Sequence, residues 1–253
     1  MAGKNVAAPT EDQDLALFGN ERPDWVTETA RGSEEVSTND LSLPRLSIIQ
    51  DLSPQRKKDK DEYIEGASEG MIFNTVTGEL FTKGVFVVPC FMRPEHTVWK
   101  DRKSGGGFGG AFETEAEAEA FVNAQEQPEL WDINYTHQHF CVMVMPGHTP
   151  ENPKLQDVVI SMSRSQLKPS RKWNTTIQQL GGDRFARAYR LDVIQDRSEK
   201  GEFYNWSAKP IGFAPKDVYD RAESVYEAVR TGTRDVNRTD DRGTVERADP
   251  NDM

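Results

Sequence analysis

The segment GVFVVPCFM, residues 84–92, is the most continuous apolar run of the chain and the stretch that decides its fold. Its β-branched and aromatic residues favour a strand, and apolar side chains at successive positions indicate burial on both faces of a sheet. Pro89 has no N–H to give to a ladder hydrogen bond, so we expect a bulge or a sheet edge there. The segment predicts a central strand on which the other elements assemble.

Segments on both sides of this run also predict strands. Four of them follow it in the chain: YTHQHFCVMVMPG (135–147), LQDVVISMS (155–163), FARAYRLDVIQ (185–195) and GEFYNWSAKPIGF (201–213), and all except LQDVVISMS alternate apolar and polar residues. The last two are expected to pair around the turn RSEKG. GMIFNTVTGELF (70–81) predicts a hairpin that turns at Thr77 and Gly78. The body of the chain is therefore expected to be rich in strands.

Three segments predict helices. ETEAEAEAFVNAQ (113–125) combines strong helix formers with few apolar anchors, and its like charges should repel nucleic acid. SQLKPSRKWNTTIQQLGG (165–182) ends at a glycine pair and places Trp173, Ile177 and Leu180 at helical spacing. PKDVYDRAESVYEAVR (215–230) carries valine and alanine at the same spacing. These patterns predict a mainly β fold with flanking helices, and short strands around one central helix favour an OB-like Greek-key barrel.

Composition divides the chain into three parts. Residues 1–40 contain nine acids and three bases and few apolar residues, which predicts a disordered acidic N-terminal arm. Residues 231–253 lack Leu, Ile and aromatic residues, which predicts a disordered C-terminal tail. Residues 41–230 remain as the expected OB-like nucleic-acid-binding domain. No apolar run is long enough to predict a membrane span, and a soluble, intracellular protein is expected. Cys90 and Cys141 lie in apolar runs and are expected to be buried, reduced thiols.

Positive charge is concentrated in residues 161–190. This segment holds seven Lys or Arg residues and one acid, Asp183, in a chain of net charge −11. Such a segment indicates a polyanionic ligand, and Trp173 beside two of the bases adds a surface on which an unpaired base could stack. The alternatives are a solvated basic face and a core position for Trp173, and the helical spacing favours the core position.

Other candidate sites carry weaker signals. GGGFGG (105–110) lacks the Lys-Ser/Thr of a P-loop, and we interpret it as a mobile loop, flanked by the aromatic residues Trp99 and Phe108, that closes on an extended ligand. His137 and His139 share one strand face and could hold a metal ion, but no further ligand motif accompanies them, so no metal and no other cofactor is expected. No catalytic triad can be assembled from the sequence, and an enzyme is disfavoured.

Four segments resemble a family of tailed-bacteriophage proteins found near replication genes, which we associate with phage single-stranded DNA-binding proteins of the OB type. They are LPRLSIIQDLSPQ (43–55), EYIEGASEGMIFNTVTGELF (62–81), VVPCF (87–91) and QLKPSRKWNTTI (166–177). SRKWN is the most specific string. The tail RTDDRGTVERADPNDM departs from replication-type single-strand binders, because it is only mildly acidic and ends in Met253.

The resemblance implies a sequence-tolerant single-stranded DNA-binding protein of phage replication or recombination, in the host cytoplasm, with phage replication or recombination proteins as partners. The expected binding residues are basic side chains and stacking aromatics: Arg164, Lys168, Arg171, Lys172, Arg184, Arg187, Trp99, Lys100, Tyr204 and Trp206. The alternative is a phage virion structural or assembly protein without catalytic activity, which would need no basic groove.

Overall fold

The computed structural model describes residues 31–36, 41–101, 104–198 and 201–233. The predicted acidic arm lies outside these ranges except for residues 31–36, and the predicted tail lies outside them beyond residue 233. Residues 31–36 belong to a separate unit and form a turn in which the Val36 amide donates to the Ser33 carbonyl (3.1 Å). The other described residues form the sheets and helices that follow.

The described ranges contain nine strands and three α-helices. The strands are β1 (Leu46–Ile48), β2 (Ile72–Asn74), β3 (Leu80–Phe81), β4 (Val85–Lys100), β5 (Gly107–Phe112), β6 (Trp131–Val144), β7 (Leu155–Ser163), β8 (Arg187–Ser198) and β9 (Gly201–Phe213). The helices are α1 (Glu115–Asn123), α2 (Leu167–Leu180) and α3 (Lys216–Arg230). The predicted mainly β fold with flanking helices is confirmed.

Strand β4 organises a six-stranded antiparallel sheet. One of its edges pairs with β6 along almost its whole length, and the other pairs with β8 near the start of β4 and with β5 near its end. The strand order is β7-β6-β4-β8-β9, with β5 beside β4. The register shifts between Pro89 and Phe91, so the predicted bulge is confirmed. The predicted central strand is also confirmed, although it continues to Lys100 rather than ending near residue 92.

A second sheet, β1-β2-β3, contains the hairpin predicted at residues 70–81. The chain on either side of β1 bridges the edge strands of the main sheet. The Pro44 carbonyl accepts from the Val159 amide of β7 (2.9 Å), and the side-chain amide of Gln50 exchanges two hydrogen bonds with the backbone of Tyr204 in β9 (2.8 and 2.9 Å). No strand ladder joins β7 to β9 within the described residues, so the expected closed barrel is not formed there.

The two faces of the main sheet have separate cores, and we name each face by the helix that covers it. The α2-face core consists of Leu46, Ile48, Ile72, Val85, Val87, Cys141, Met143, Val158, Ile160, Met162, Trp173, Ile177, Tyr189, Leu191 and Trp206. The α3-face core consists of Leu43, Val88, Cys90, Phe140, Val142, Val159, Phe185, Val218, Ala222, Val225 and Val229. The two cysteines are buried free thiols on opposite faces, and burial raises the pKa of Cys141 to about 12.

Helix α1 covers the far end of the α2 face. Ala118 and Val122 pack there with Val98 of β4, and a capping box between Thr114 and Glu117 begins the helix. The last four residues of the adjoining segment GGGFGG lie in β5, so this part is a strand and not the mobile loop predicted from the sequence. The pairing requires glycine: a Cβ atom at Gly109 would lie 2.6 Å from the Trp131 ring.

Candidate functional site

Helix α2 is the element on which the candidate site is built. It follows a short 3-10 turn, Arg164–Gln166, and ends at Gly181, whose φ of 66° is accessible to glycine at low cost. Its inner side buries Ser170, Trp173 and Ile177. Trp173 is 1% exposed and stacks on the His139 ring, with ring centres 4.8 Å apart. The expectation that Trp173 is a core residue is therefore confirmed.

The outer side of α2 carries three of the predicted cations, Lys168, Arg171 and Lys172. Their i, i+3 and i+4 spacing brings them to one side of the helix, and all three are exposed. None of them forms an ion pair or a side-chain hydrogen bond in the part of the chain that the structure describes. The surface is therefore positively charged and free to meet an anion. We call these three residues the α2 cation patch.

A buried polar cluster lies beneath the patch. The Ser170 hydroxyl is fully buried and contacts two histidines of β6, His137 Nδ1 at 2.6 Å and His139 Nε2 at 2.8 Å. Arg184 Nη2 lies 3.0 Å from His139 Nδ1 and donates to Asn174 Oδ1 at 2.9 Å. Histidine Nδ1 must accept from this guanidinium, because arginine offers only donors. The cluster therefore ties α2 to the sheet through polar contacts as well as through Trp173.

These contacts fix the direction of the two hydrogen bonds that the His139 ring makes. His139 accepts at Nδ1, so in the neutral ring its Nε2 carries the proton and donates to Ser170 Oγ. The Ser170 hydroxyl then either donates to His137 Nδ1 or accepts from it, according to the His137 tautomer. The chain of donors runs from Arg184 through His139 to Ser170. A protonated His139 would place an N–H against the guanidinium and break the chain.

The electrostatics agree with neutral histidines. Burial, with the charges of Arg184 and His137, lowers the pKa of His139 well below its usual value. Burial, with the charges of Arg171 and Arg184, lowers the pKa of His137. Burial also lowers the pKa of Arg184. Arg184 therefore belongs to the buried cluster, and its guanidinium points at His139 and Asn174 rather than at a ligand on the surface.

Three further predicted residues are engaged in contacts within the protein. Arg164, whose φ is 50°, donates from Nε to Asn134 Oδ1 at 2.7 Å and lies 3.5 Å from an Asp132 carboxylate oxygen. The Arg187 guanidinium lies 4.0 Å from the ring centre of Phe213. Lys100 lies over the Trp131 ring at 5.9 Å. These three cations already have partners within the protein, unlike those of the α2 cation patch.

The predicted stacking aromatics do not line the patch. Trp206 is 2% exposed in the α2-face core, so its ring is not accessible to a base and its predicted role is corrected. Tyr204 packs against that core and lies over Gly70, where a Cβ atom would meet its ring at 2.8 Å. Trp99 packs on Phe108 of β5, with ring centres 4.8 Å apart. Neighbouring residues of a strand point to opposite faces of the sheet, and Lys100 lies over Trp131 on the α2 face. The Trp99 side chain therefore projects toward the α3 face.

The Ser170 cluster has the residue types of a nucleophile and a base, but its geometry does not favour catalysis. The hydroxyl is fully buried beneath α2. The described groups that contact His139 are a serine, an arginine and a tryptophan ring, so a carboxylate does not orient this ring as in a catalytic triad. Among the described residues, no group of three or more His, Cys, Asp or Glu side chains is placed to hold a metal ion. The arrangement is better suited to fixing the helix.

Sequence reasoning missed Ser170 and Asn174, the two α2 residues that belong to the buried polar cluster. The alternation THQH predicts that His137 and His139 share a face of the strand, and so it identified the histidines of the cluster but not their partners. Nothing local in SRKWN shows that its serine contacts that pair or that its asparagine contacts Arg184. The contact joins residues 31 and 33 positions apart.

Fold and site together define a mainly antiparallel β protein that presents an unpaired cationic helix on one face of its sheet. The family described as "Pam3 phage gp34-like protein" matches residues 11–235, and the chain belongs to this family. The predicted resemblance to a phage family is thereby confirmed. Comparisons with curated proteins and with solved structures gave no match. No helix in the described ranges has the length and apolar character needed to cross a membrane.

Proposed function

We propose that this protein binds single-stranded DNA without strong sequence preference, as a non-enzymatic protein of phage DNA replication or recombination in the host cytoplasm. The observation that carries the proposal is the α2 cation patch, Lys168, Arg171 and Lys172. Its partners would be single-stranded DNA and phage replication or recombination proteins. Membership of a phage family supports the biological setting.

The patch is unusual for the chain that carries it. The protein has 42 Asp and Glu residues against 31 Lys and Arg, so acids are available to neutralise surface cations. The three cations of α2 have no acidic partner within the described ranges, and such a surface attracts a polyanion by releasing its counterions. Because the cations occupy little more than one helical turn, the patch suits a flexible single strand that bends to meet it better than it suits the regular contacts of a duplex.

We also propose a distant relation to OB folds. The supporting feature is the bridge between the edge strands of the main sheet, where the chain around β1 bonds to β7 at Val159 and to β9 at Tyr204. A strand ladder across the same gap would give a closed barrel. On this proposal, the main sheet is a barrel that has opened between β7 and β9, with residues 44–50 in the gap.

A fluorescence-anisotropy titration of a labelled dT oligomer at several salt concentrations tests the function. Log K is expected to fall linearly with log salt at about −0.7 for each phosphate contacted, so three cations predict a slope near −2. Absence of binding at low salt would overturn the proposal. In that event, the assembly role in a phage virion would become the better explanation.

A further inference from the structure

The α2 face leaves one aromatic side chain of β6 uncovered. Helix α1 packs over the far end of this face, at Trp131 and Ile133, and α2 packs over His139. Tyr135 lies between these positions on the same side of β6, because side chains two apart along a strand share a face. Tyr135 is 38% exposed, and its hydroxyl has no hydrogen-bond partner in the described part of the chain.

The Tyr135 ring is held in place by its neighbours. His96 of β4 lies beside it with ring centres 5.1 Å apart, and His137 meets it edge to face at 5.2 Å. His137 is in turn fixed by Ser170 of α2. The ring is therefore a rigid, exposed surface supported by two rings, and little side-chain freedom would be lost when a flat ligand covers it.

Charge around the ring is asymmetric. On the α2 side, Arg171 directly follows Ser170 and is close enough to lower the pKa of His137. On the α1 side, exposed Glu115 and Glu119 repel phosphate. A nucleic-acid strand is therefore expected to place its phosphates along α2 and its bases toward the sheet.

We propose that Tyr135 stacks an unpaired base of a single strand whose phosphates contact the α2 cation patch. The proposal rests on the function proposed above and adds the stacking residue, in place of Trp99, Tyr204 and Trp206. Phe213 is more exposed, at 71%, but the Arg187 guanidinium already lies over its ring at 4.0 Å. Base stacking on an aromatic side chain tolerates any sequence, because every base has a π face.

The test compares the parent with Tyr135→Thr and Tyr135→Phe in dT-oligomer titrations. Threonine removes the ring and keeps a strand-forming residue, and phenylalanine keeps the ring. We expect Tyr135→Thr to weaken binding by roughly 5- to 150-fold, the range implied by measured stacking energies, and Tyr135→Phe to bind within about twofold of the parent. The slope of log K against log salt should stay unchanged in Tyr135→Thr and become shallower by about 0.7 in Arg171→Ala.

Phe86 supplies a matched control. It is an exposed aromatic residue of β4 on the opposite face of the same sheet, so Phe86→Ala should bind as the parent does. A second measurement needs no variant: a dT oligomer that carries 5-iododeoxyuridine should, on irradiation, crosslink to the peptide that contains Tyr135. If the parent binds DNA but Tyr135→Thr is unaffected and the crosslink maps elsewhere, for example to Phe213, the inference is wrong while the function stands. If the parent does not bind, both fail.

Discussion

Helices α2 and α3 cover opposite faces of the same sheet, yet they use their charged residues in opposite ways. On α3, each of three cations has an acidic partner: Lys216 pairs with Asp220, Arg221 with Asp157, and Arg230 with Glu227. On α2, the cations of the patch have none in the described ranges. The inner sides differ too, because α3 presents an apolar stripe and α2 adds a buried serine and a tryptophan that contact histidines.

The difference indicates that α3 mainly completes the fold, whereas the outer side of α2 is available to a ligand. Pairing inside the protein removes the charge of α3 from the field that a ligand meets, whereas the charge of α2 remains in that field. Exposed ion pairs contribute little stability, so the Lys216–Asp220 and Arg230–Glu227 pairs matter mainly by cancelling charge. Arg221 instead compensates the buried carboxylate of Asp157. The buried cluster under α2 holds the helix at a fixed position without using its outer cations.

The largest expected effect concerns the inner side of α2. Trp173→Ala removes a buried ring that contacts both His139 and Tyr189, and it should lower the free energy of unfolding by roughly 3–5 kcal/mol. Chemical denaturation monitored by circular dichroism would measure the change. A loss below about 1 kcal/mol would show that α2 is not anchored in the core as described.

The next effect concerns the outer side. Lys168→Ala/Arg171→Ala/Lys172→Ala should weaken binding to a dT oligomer more than tenfold, because three phosphate contacts are lost, and should change stability by less than about 1 kcal/mol.

The matched control spares Arg221, because its partner Asp157 is buried and would be left as an unpaired charge. It compares Lys216→Ala/Arg230→Ala on α3 with Lys168→Ala/Lys172→Ala on α2. The α3 variant should leave affinity within about threefold of the parent, because its two cations are already paired. Equal losses in the two double variants would show that total charge, and not the position of the patch, controls binding.

A smaller effect is expected from pH. The folded-state pKa values of His137 and His139 are lowered, and the unfolded histidines titrate near about 6.5. The unfolded state therefore binds more protons as the pH falls below that value. The contribution of these two histidines to stability should be complete above about pH 7.5, and stability should drop by about 1 kcal/mol or more between about pH 7.5 and about pH 5.5.

The control variant His137→Asn/His139→Gln keeps an acceptor and a donor near Ser170 without a titrating ring. Its stability should vary less over the same range in denaturant titrations. An unchanged pH dependence in the double variant would place the titrating groups elsewhere.

The smallest effect involves α1, the acidic helix beside the proposed stacking surface. Glu115→Gln/Glu119→Gln removes two repelling charges and leaves Glu117 in its capping box. Affinity for a dT oligomer should rise by less than about threefold at low salt, and the gain should vanish near about 0.15 M salt because exposed charges are screened. A loss of affinity would indicate that α1 takes a direct part in binding.

Local sequence patterns predicted correctly the helices that bury one regular stripe of apolar side chains. Val218, Ala222, Val225 and Val229 are all buried on α3, as their spacing indicated. The α2 stripe was right at Trp173 and Ile177 but wrong at Leu180, which is 40% exposed in the last turn of the helix. Spacing identifies a helix face, but it does not show how far the sheet beneath it extends.

Contacts between segments that are distant in the chain could not be predicted from local sequence patterns. The glycine-rich β5 looked like a loop, although at Gly109 the missing side chain leaves space for the Trp131 ring of another strand. Arg184 counted as a surface cation because its inward partners, His139 and Asn174, are far away in sequence or on another element. Tyr135 drew no attention because its exposure depends on the gap between two helices.

The bridge across the edge strands also has a consequence for the order of folding. The side-chain amide of Gln50 imitates a strand residue and bonds to a backbone 154 positions away. Contacts over such separations form late, because the entropy of closing a long loop must be offset before they contribute. We expect residues 44–50 to form their hydrogen bonds to β7 and β9 only after these two strands have formed. Their amides should therefore exchange with solvent deuterium faster than those of β4 and β6, by openings that leave the main sheet intact.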